Sequence, residues 1–344
     1  MKLHRSLTFF AILFGVLLLG TGTEVQAQER VGTSASPQLL IPVDAQYLDG
    51  SGAAAGISGI GSVLWNPAGL GKREGDIMVM TSRREHLADI GVNFLAAGVG
   101  FEKIGAFALH IRNFSIGEID ETTESNPGGT GGTINTSFFT IGASYGRALT
   151  EKIRVGVTAN LTRESFASMS ASGVTFDAGV QYGEFLDFSG LDLGVSIRHI
   201  GRSMEYSGSG LQTTATSGGS GRSSTQFQTI ASDSDIPTTV DVSLEYNVWR
   251  GFNLATTFSE NTYQPAQIQS QLSYNFRDLL TLRGSYTQLL EDRGELESPY
   301  ENRPSFGGTL NLASVLDVNL SFDYAFISTR YFENNHILSL RGSF

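Results

Sequence analysis

The 344-residue chain contains no cysteine, which excludes disulfides, thiolate metal sites, a cysteine nucleophile and a lipid anchor on an N-terminal cysteine. Cations are in short supply: 23 Lys and Arg stand against 34 Asp and Glu, for a net charge of −11. An acidic chain is a poor electrostatic match for nucleic acid, and no such partner is expected. Histidine is sparse as well. His4, His86, His110, His199 and His336 are isolated in sequence, with no HExxH or paired-ligand spacing, and no GxSxG occurs in a strand-to-helix context. No catalytic residue, metal or cofactor is therefore assigned, and an enzyme is not expected. The one weak lead is the rim, where His86 sits beside Glu85 and Asp89 and His336 opens the last strand.

Long apolar runs are absent after the first residues. Lys2 and Arg5 precede an apolar stretch from Leu7 to Leu19, followed by a polar piece ending Val25 Gln26 Ala27. That is the layout of a secretory signal peptide over residues 1–27. It falls short of the roughly 20 residues needed to cross about 30 Å of hydrocarbon. Losing Lys2, Arg5 and Glu24 with the leader moves the net charge to −12. An exported chain without disulfides needs another source of stability, and a closed ring of backbone hydrogen bonds in lipid is one.

What the chain has in quantity is strand and turn material, with 41 Gly, 22 Phe and 11 Tyr against 8 Pro. From Asp76 onward apolar and polar residues alternate with period two. Ile153, Val155, Val157, Ala159 and Leu161 interleave with Arg154, Gly156, Thr158, Asn160 and Thr162. Leu316, Val318, Leu320, Phe322, Tyr324 and Phe326 interleave with Asp317, Asn319, Ser321, Asp323 and Ala325. The same template places strands near 76–84, 88–101, 104–116, 137–149, 152–163, 173–184, 190–204, 238–248, 251–260, 266–276, 279–290, 304–313, 316–327 and 335–344. Every second connection is short. Most of the others are longer, and 117–136, 205–237 and 291–303 are much longer. An even strand number with long connections sorted to one end predicts an all-β fold, a 14-stranded antiparallel transmembrane barrel of the outer membrane spanning 76–344. A soluble sandwich has no reason to sort its loops by parity.

Three groups of residues take roles in this reading. Phe101, Phe114, Phe138, Tyr182, Tyr246, Trp249, Phe252, Tyr274 and Phe276 lie near strand ends, where interfacial girdles sit. Glu164, Asp177, Asp192, Asp241, Glu245, Asp317 and Asp323 fall on inward faces with Arg112, Arg154, Arg163, Arg198 and Arg283, predicting a lumen of cross-strand ion pairs. Leu338, Leu340 and Phe344 give the last strand one apolar edge, the expected assembly signal. Residues 28–75 do not alternate and are expected to form a plug, with a structural turn at Trp65, Asn66, Pro67, Ala68 and Gly69.

Several segments resemble the PorV/PorQ family of outer-membrane proteins, whose barrels are similar to the long-chain fatty acid transporter FadL. They are Gln38 to Val43, the turn from Trp65 to Leu70, Glu85 to Asp89, Gly117 to Thr123, Ser170 to Asp177, Asp323 to Phe326 and Leu338 to Phe344. Asp44 to Ser51 departs from the family pattern, which has an Arg-containing Met-Gly-Gly type run there. The resemblance implies a non-enzymatic barrel in contact with outer-membrane lipid that docks or shuttles secreted proteins bearing a C-terminal signal domain, or binds other secretion subunits, in a type IX secretion-like system. The alternative it implies is a FadL-like passive carrier, with a hydrophobic ligand between plug and wall. The mature protein is predicted to require detergent for extraction and to migrate differently in gels before and after boiling; solubility without detergent would refute the barrel.

Overall fold

Alternation with one oily face becomes a ring of strands. The computed structural model describes residues 33–72, 75–86, 90–117, 119–216, 224–290, 303–313, 318–329 and 333–344; the leader expected at 1–27, Asp89 and Asp317 lie outside them. Fourteen long strands are β1 Ile77–Glu85, β2 Gly91–Phe101, β3 Gly105–Ser115, β4 Thr136–Ala148, β5 Ile153–Phe166, β6 Met169–Tyr182, β7 Leu191–Gly201, β8 Thr239–Trp249, β9 Phe252–Asn261, β10 Gln264–Phe276, β11 Leu280–Leu289, β12 Arg303–Asn311, β13 Asn319–Ile327 and β14 Asn335–Ser343. Each pairs antiparallel with its neighbours in sequence, and β14 returns to β1 in register from Met78 opposite Ser343 to Glu85 opposite His336. The amides of Asp76 and Ile77 donate to the Phe344 carbonyl, and the Phe344 amide donates to Ile77. The barrel is closed, so no strand edge is left to pair with another chain.

The outward face is apolar and bare. Leu109 is 66% exposed, Val157 55% and Phe176 57%, while their neighbours Ala108, Thr158 and Asp177 are buried. Such a belt suits hydrocarbon, where the ring satisfies every ladder hydrogen bond internally. Four expectations need correction. Phe114 and Phe138 point inward, ring against ring at 6.0 Å, because each shares parity with a buried neighbour, Arg112 and Thr140. Arg163 points outward with Leu161, since the strand face is fixed by parity and not by charge. The loops are less strictly sorted than expected. Ala167–Ser168 and Thr262–Tyr263 are tight turns at the long-connection end, because β5, β6 and β10 run further than their apolar alternation suggested. At the other end, Phe185 and Phe188 fold back over Leu191, Leu244 and Tyr246, which covers Tyr246 instead of leaving it as girdle.

Of the long connections, 116–135 carries a small pairing of Ile119–Asp120 with Thr133–Ile134, and the next pairs Gln212–Thr216 with Ser224–Gln228. The third, at 291–302, lies outside the described residues.

Residues 33–72 lie inside the ring. They meet inward side chains of β1, β3, β5, β7, β9, β12 and β14 in turn, and only an interior segment can touch all of these. The segment is built from short turns, Pro37–Leu40, Ala53–Gly56, Gly59–Leu64 and Pro67–Gly71. Val43, Ile60, Val63 and Leu70 pack with Met78, Met80, Val92 and Phe94 from β1 and β2.

The face assignment makes a direct prediction. Val157→Arg should cost about 2–4 kcal/mol of barrel stability, as for a cation near the bilayer midplane, whereas Gln267→Arg on the lumen side should cost much less. Urea unfolding in lipid vesicles checks this, and equal losses would mean that the faces are reversed.

Candidate functional site

The inner segment is seated by backbone contact. Gly146, Gly156 and Gly179 are directly paired across β4, β5 and β6 and all face inward. A Cβ at Gly156 would lie 2.2 Å from the Pro67 carbonyl carbon, one at Gly146 2.5 Å from the Pro67 oxygen, and one at Gly179 1.9 Å from the Asn66 amide oxygen. Gly194 on β7 repeats the pattern against Ala54, at 2.0 Å. Glycine inside a strand marks the close approach of another backbone, and here four of them form a shallow seat.

The turn from Trp65 to Gly69 fits that seat. The Asn66 side chain accepts from the Ala68 amide at 3.0 Å, capping the turn that Pro67 begins. Its amide nitrogen donates to the Ala54 carbonyl at 2.7 Å and to Val180 and Val195 of the wall at 3.2 and 3.4 Å. At Gly69 a side chain would meet the Ile57 carbonyl at 2.5 Å. Trp65 donates to Asp44 at 3.1 Å and lies under the Arg198 guanidinium, 5.1 Å from its ring centre.

A strap from Gln38 to Val43 crosses the lumen above the seat, and the wall holds it by its carbonyls. Arg112 donates to Leu39 at 3.2 Å and to Ile41, Arg84 donates to Pro42 at 2.9 Å, and Ser82 donates to Val43. Gln38 itself donates to Glu164 at 2.8 Å. Asp49 accepts from Arg303 at 3.0 Å, Ser305 at 2.8 Å and Thr287 at 3.3 Å. Burial opposes the charge of Asp49, yet Arg303 and these hydrogen bonds hold its carboxyl below the usual range.

Between the strap and the wall of β8 to β12 lies a cavity of about 270 Å³. Leu39 to Val43, Leu64 and Trp65 make one side apolar; Asp241, Ser259, Asn261, Gln267, Gln269 and Arg303 make the other polar. Its position beside His86, Gln264 and Leu289 puts it at the long-connection end. His86 stands among guanidiniums there. Burial first, then Arg84, Arg303 and Arg112, press its imidazole down to about 3, so it is neutral near neutral pH.

The expected lattice of cross-strand ion pairs is mostly not what the inward charges form. Arg198 pairs with Asp241 at 2.8 Å and Asp323 with Arg341 at 2.9 Å. Arg112 serves the strap, Arg283 donates to Thr309, Glu164 accepts from Gln38 and Tyr206, and Asp177 accepts from Asn160 and the His199 amide. Glu245 lies against Gly56 of the inner segment, and Asp192 accepts from the Glu184 amide at the short-turn end near Arg154. The reason is physical: the lumen is filled, so its charges answer the filling rather than one another. His86 and His336 do not meet. His86 lines the cavity, while His336 packs on the outer face against Phe326 and accepts or donates at the Tyr324 hydroxyl, 2.9 Å away. Leu338 and Leu340 are 46% and 41% exposed on that same outer face, and Phe344 is 63% exposed at the seam.

With this geometry in hand, solved structures can be compared. CymD, a monoaromatic hydrocarbon channel, matches with a TM-score of 0.56 at 14% identity, over 89% of this chain and 98% of its own. The toluene transporter TodX of Pseudomonas putida matches at 0.55 and 11% identity, over 88% and 98%. The fold is shared. No family model and no curated protein matches the sequence, so the likeness is one of fold and is not specific to PorV/PorQ.

Arg84, Arg303, Arg341 and the seat glycines were not singled out in the sequence. The glycines left a signal, falling on the polar phase of three neighbouring strands where a side chain would normally point inward. Gly156→Val should leave a closed barrel that still shifts on boiling, but with the inner segment exposed to added protease and the single-channel conductance raised. Wild-type conductance and protection would show that the seat is not needed.

Proposed function

We propose that this protein is a passive, non-enzymatic outer-membrane carrier of small hydrophobic molecules, with residues 33–72 as its plug and the cavity beside the strap as its first binding site. The observation that carries the reading is the cavity, with one apolar wall made by the plug and a position toward the long-connection end. A cleft with apolar lining and a few placed polar groups is the usual form of a small-molecule site. The fold shared with two hydrocarbon channels supports it. Docking of secreted proteins has no comparable support, since the two structures compared are hydrocarbon channels. We also keep Leu338, Leu340 and Phe344 as the proposed assembly signal, because the outward apolar edge and the ladder to β1 coincide in them.

Uptake decides between the readings. Cells depleted of their own hydrocarbon channels should take up labelled ethylbenzene faster when they express the protein. Gln267→Trp, which fills the cavity from the wall, should lower that gain several-fold while leaving the boiling shift intact. Uptake no faster than in cells without the protein, with secreted proteins recovered on its surface, would replace the carrier by the docking barrel.

A further inference from the structure

Two arginines at the short-turn end stand apart from the carboxylates. Arg250 and Arg277 each take the first position of a tight turn, between β8 and β9 and between β10 and β11, with φ of 42° and 54°. Left-handed turn positions favour asparagine or glycine, so backbone conformation does not select arginine there. Each guanidinium lies over the ring that precedes it, 4.8 Å from the centre of Trp249 and 5.2 Å from that of Phe276. Among the described residues neither makes an ion pair, whereas Lys152 at the same end is held by Glu184 and Asp187 at 3.2 and 2.8 Å. Asp278, next to Arg277 in sequence, accepts from the Asn275 side chain at 3.0 Å. The two turns are neighbours: the Asn275 amide donates to the Gly251 carbonyl at 2.8 Å, and the rings of Phe252 and Tyr274 are centred 4.4 Å apart across the pair. Trp249 and Phe276 are exposed beside them, as aromatics at a membrane interface are.

Beside this rim the lipid face is hollow. Leu280 stands opposite Phe276 on one side and Leu310 on the other, and one step further along the same face Gly308 stands between Leu282 and Tyr324. The missing side chain at Gly308 leaves a depression of about 550 Å³ on the outer surface, walled by Leu282, Phe306, Leu310, Phe322 and Tyr324. From the level of Leu310 and Phe322 to that of Phe306 and Phe326 it follows the strands for roughly 13 Å, against about 15 Å for half of the hydrocarbon core. We infer that the barrel holds one anionic glycerophospholipid here, its phosphate between Arg250 and Arg277 and an acyl chain in the depression over Gly308. The planar fork of a guanidinium matches a phosphate, and short turns face the periplasm in such barrels, so the headgroup belongs to the inner leaflet. Chain and charge are answered together only by a lipid. A second copy of the protein, docked on the same face, would bring the same two arginines to the contact and no anion to meet them.

The test uses the full protein in detergent, with dioleoyl phosphatidylglycerol and dioleoyl phosphatidylcholine as probes and native mass spectrometry to count the lipid retained. One phosphatidylglycerol per barrel should be kept at a concentration about tenfold or more below that needed for phosphatidylcholine, the order expected of two cations at an anionic lipid. Arg250→Gln combined with Arg277→Gln should remove this preference, and lysine at both positions should keep part of it. Gly308→Leu, which fills the depression, should weaken retention of both lipids several-fold while the preference between them survives. If Gly308→Leu loses the boiling shift, the glutamine pair, placed on exposed turns, still decides. Equal retention of the two lipids by the parent protein overturns the inference, as does an undiminished preference in the glutamine pair or full retention by a folded Gly308→Leu. Displacement by glycerol 3-phosphate at the concentration of the lipid would reduce the site to a phosphate site without a chain, and a dimer free of lipid would give the face to a second copy; either result also overturns it. None of these outcomes touches the carrier reading, because the site lies on the outer face of the barrel.

Discussion

The hydrogen-bonded seam between β1 and β14 is the contact on which everything else depends. A bilayer offers no water to an open strand edge, so fourteen strands joined by thirteen pairings, with a free edge on each side, would not persist there. Met78 to Glu85 running against His336 to Ser343 removes both edges at once. Once the ring is closed, the period-two alternation acquires a meaning it lacks in a flat sheet: one phase faces lipid and the other a lumen of fixed width. Leu109, Val157 and Leu282 then need no protein partner, while Thr158, Asp241 and Asp323 must find theirs inside.

The closed ring creates a second problem, a polar interior to be filled. The chain answers it with its own residues 33–72, and two kinds of contact divide the work. At the seat, four missing side chains let the wall approach the backbone of Pro67 and Ala54 and the side chain of Asn66. At the strap, long side chains reach out and hold carbonyls, with Arg84, Arg112 and Ser82 as donors. Close backbone approach is rigid, whereas a strap held through extended side chains has only a few hydrogen bonds to exchange. The cavity lies beside the strap and not at the seat, so it borders the contact that is held through side chains.

Much of this was legible in the sequence because alternation is local. Ile153 to Thr162 shows both faces of β5 within ten residues, and no distant contact alters the parity. The inner segment was legible only as a non-alternating piece with a turn at Asn66 and Pro67. Its seat depends on which inward glycines align across three strands, and its strap depends on arginines more than forty residues away in sequence. Charges misled for a related reason. Arg163 sits one residue from Glu164 and was grouped with it, yet adjacent strand residues point to opposite faces. Phe114 and Phe138 were read by their nearness to strand ends, when parity already placed them inward beside Arg112 and Thr140.

A site for transport also has to release what it binds. A cavity apolar on every side would hold a ring or alkyl body and leave its exit to rare openings, whereas a wall of Gln267, Gln269, Ser259 and Asn261 gives up part of that apolar contact. On the proposed carrier reading, entry would be favoured by the apolar strap and departure by the polar wall. Conduction needs this balance, binding strong enough to collect the ligand and weak enough to pass it on. On the proposed carrier reading, a filled lumen can still be used: the inner segment supplies the apolar side of the cavity, so the residues that fill the barrel would also give a hydrophobic molecule a place to bind.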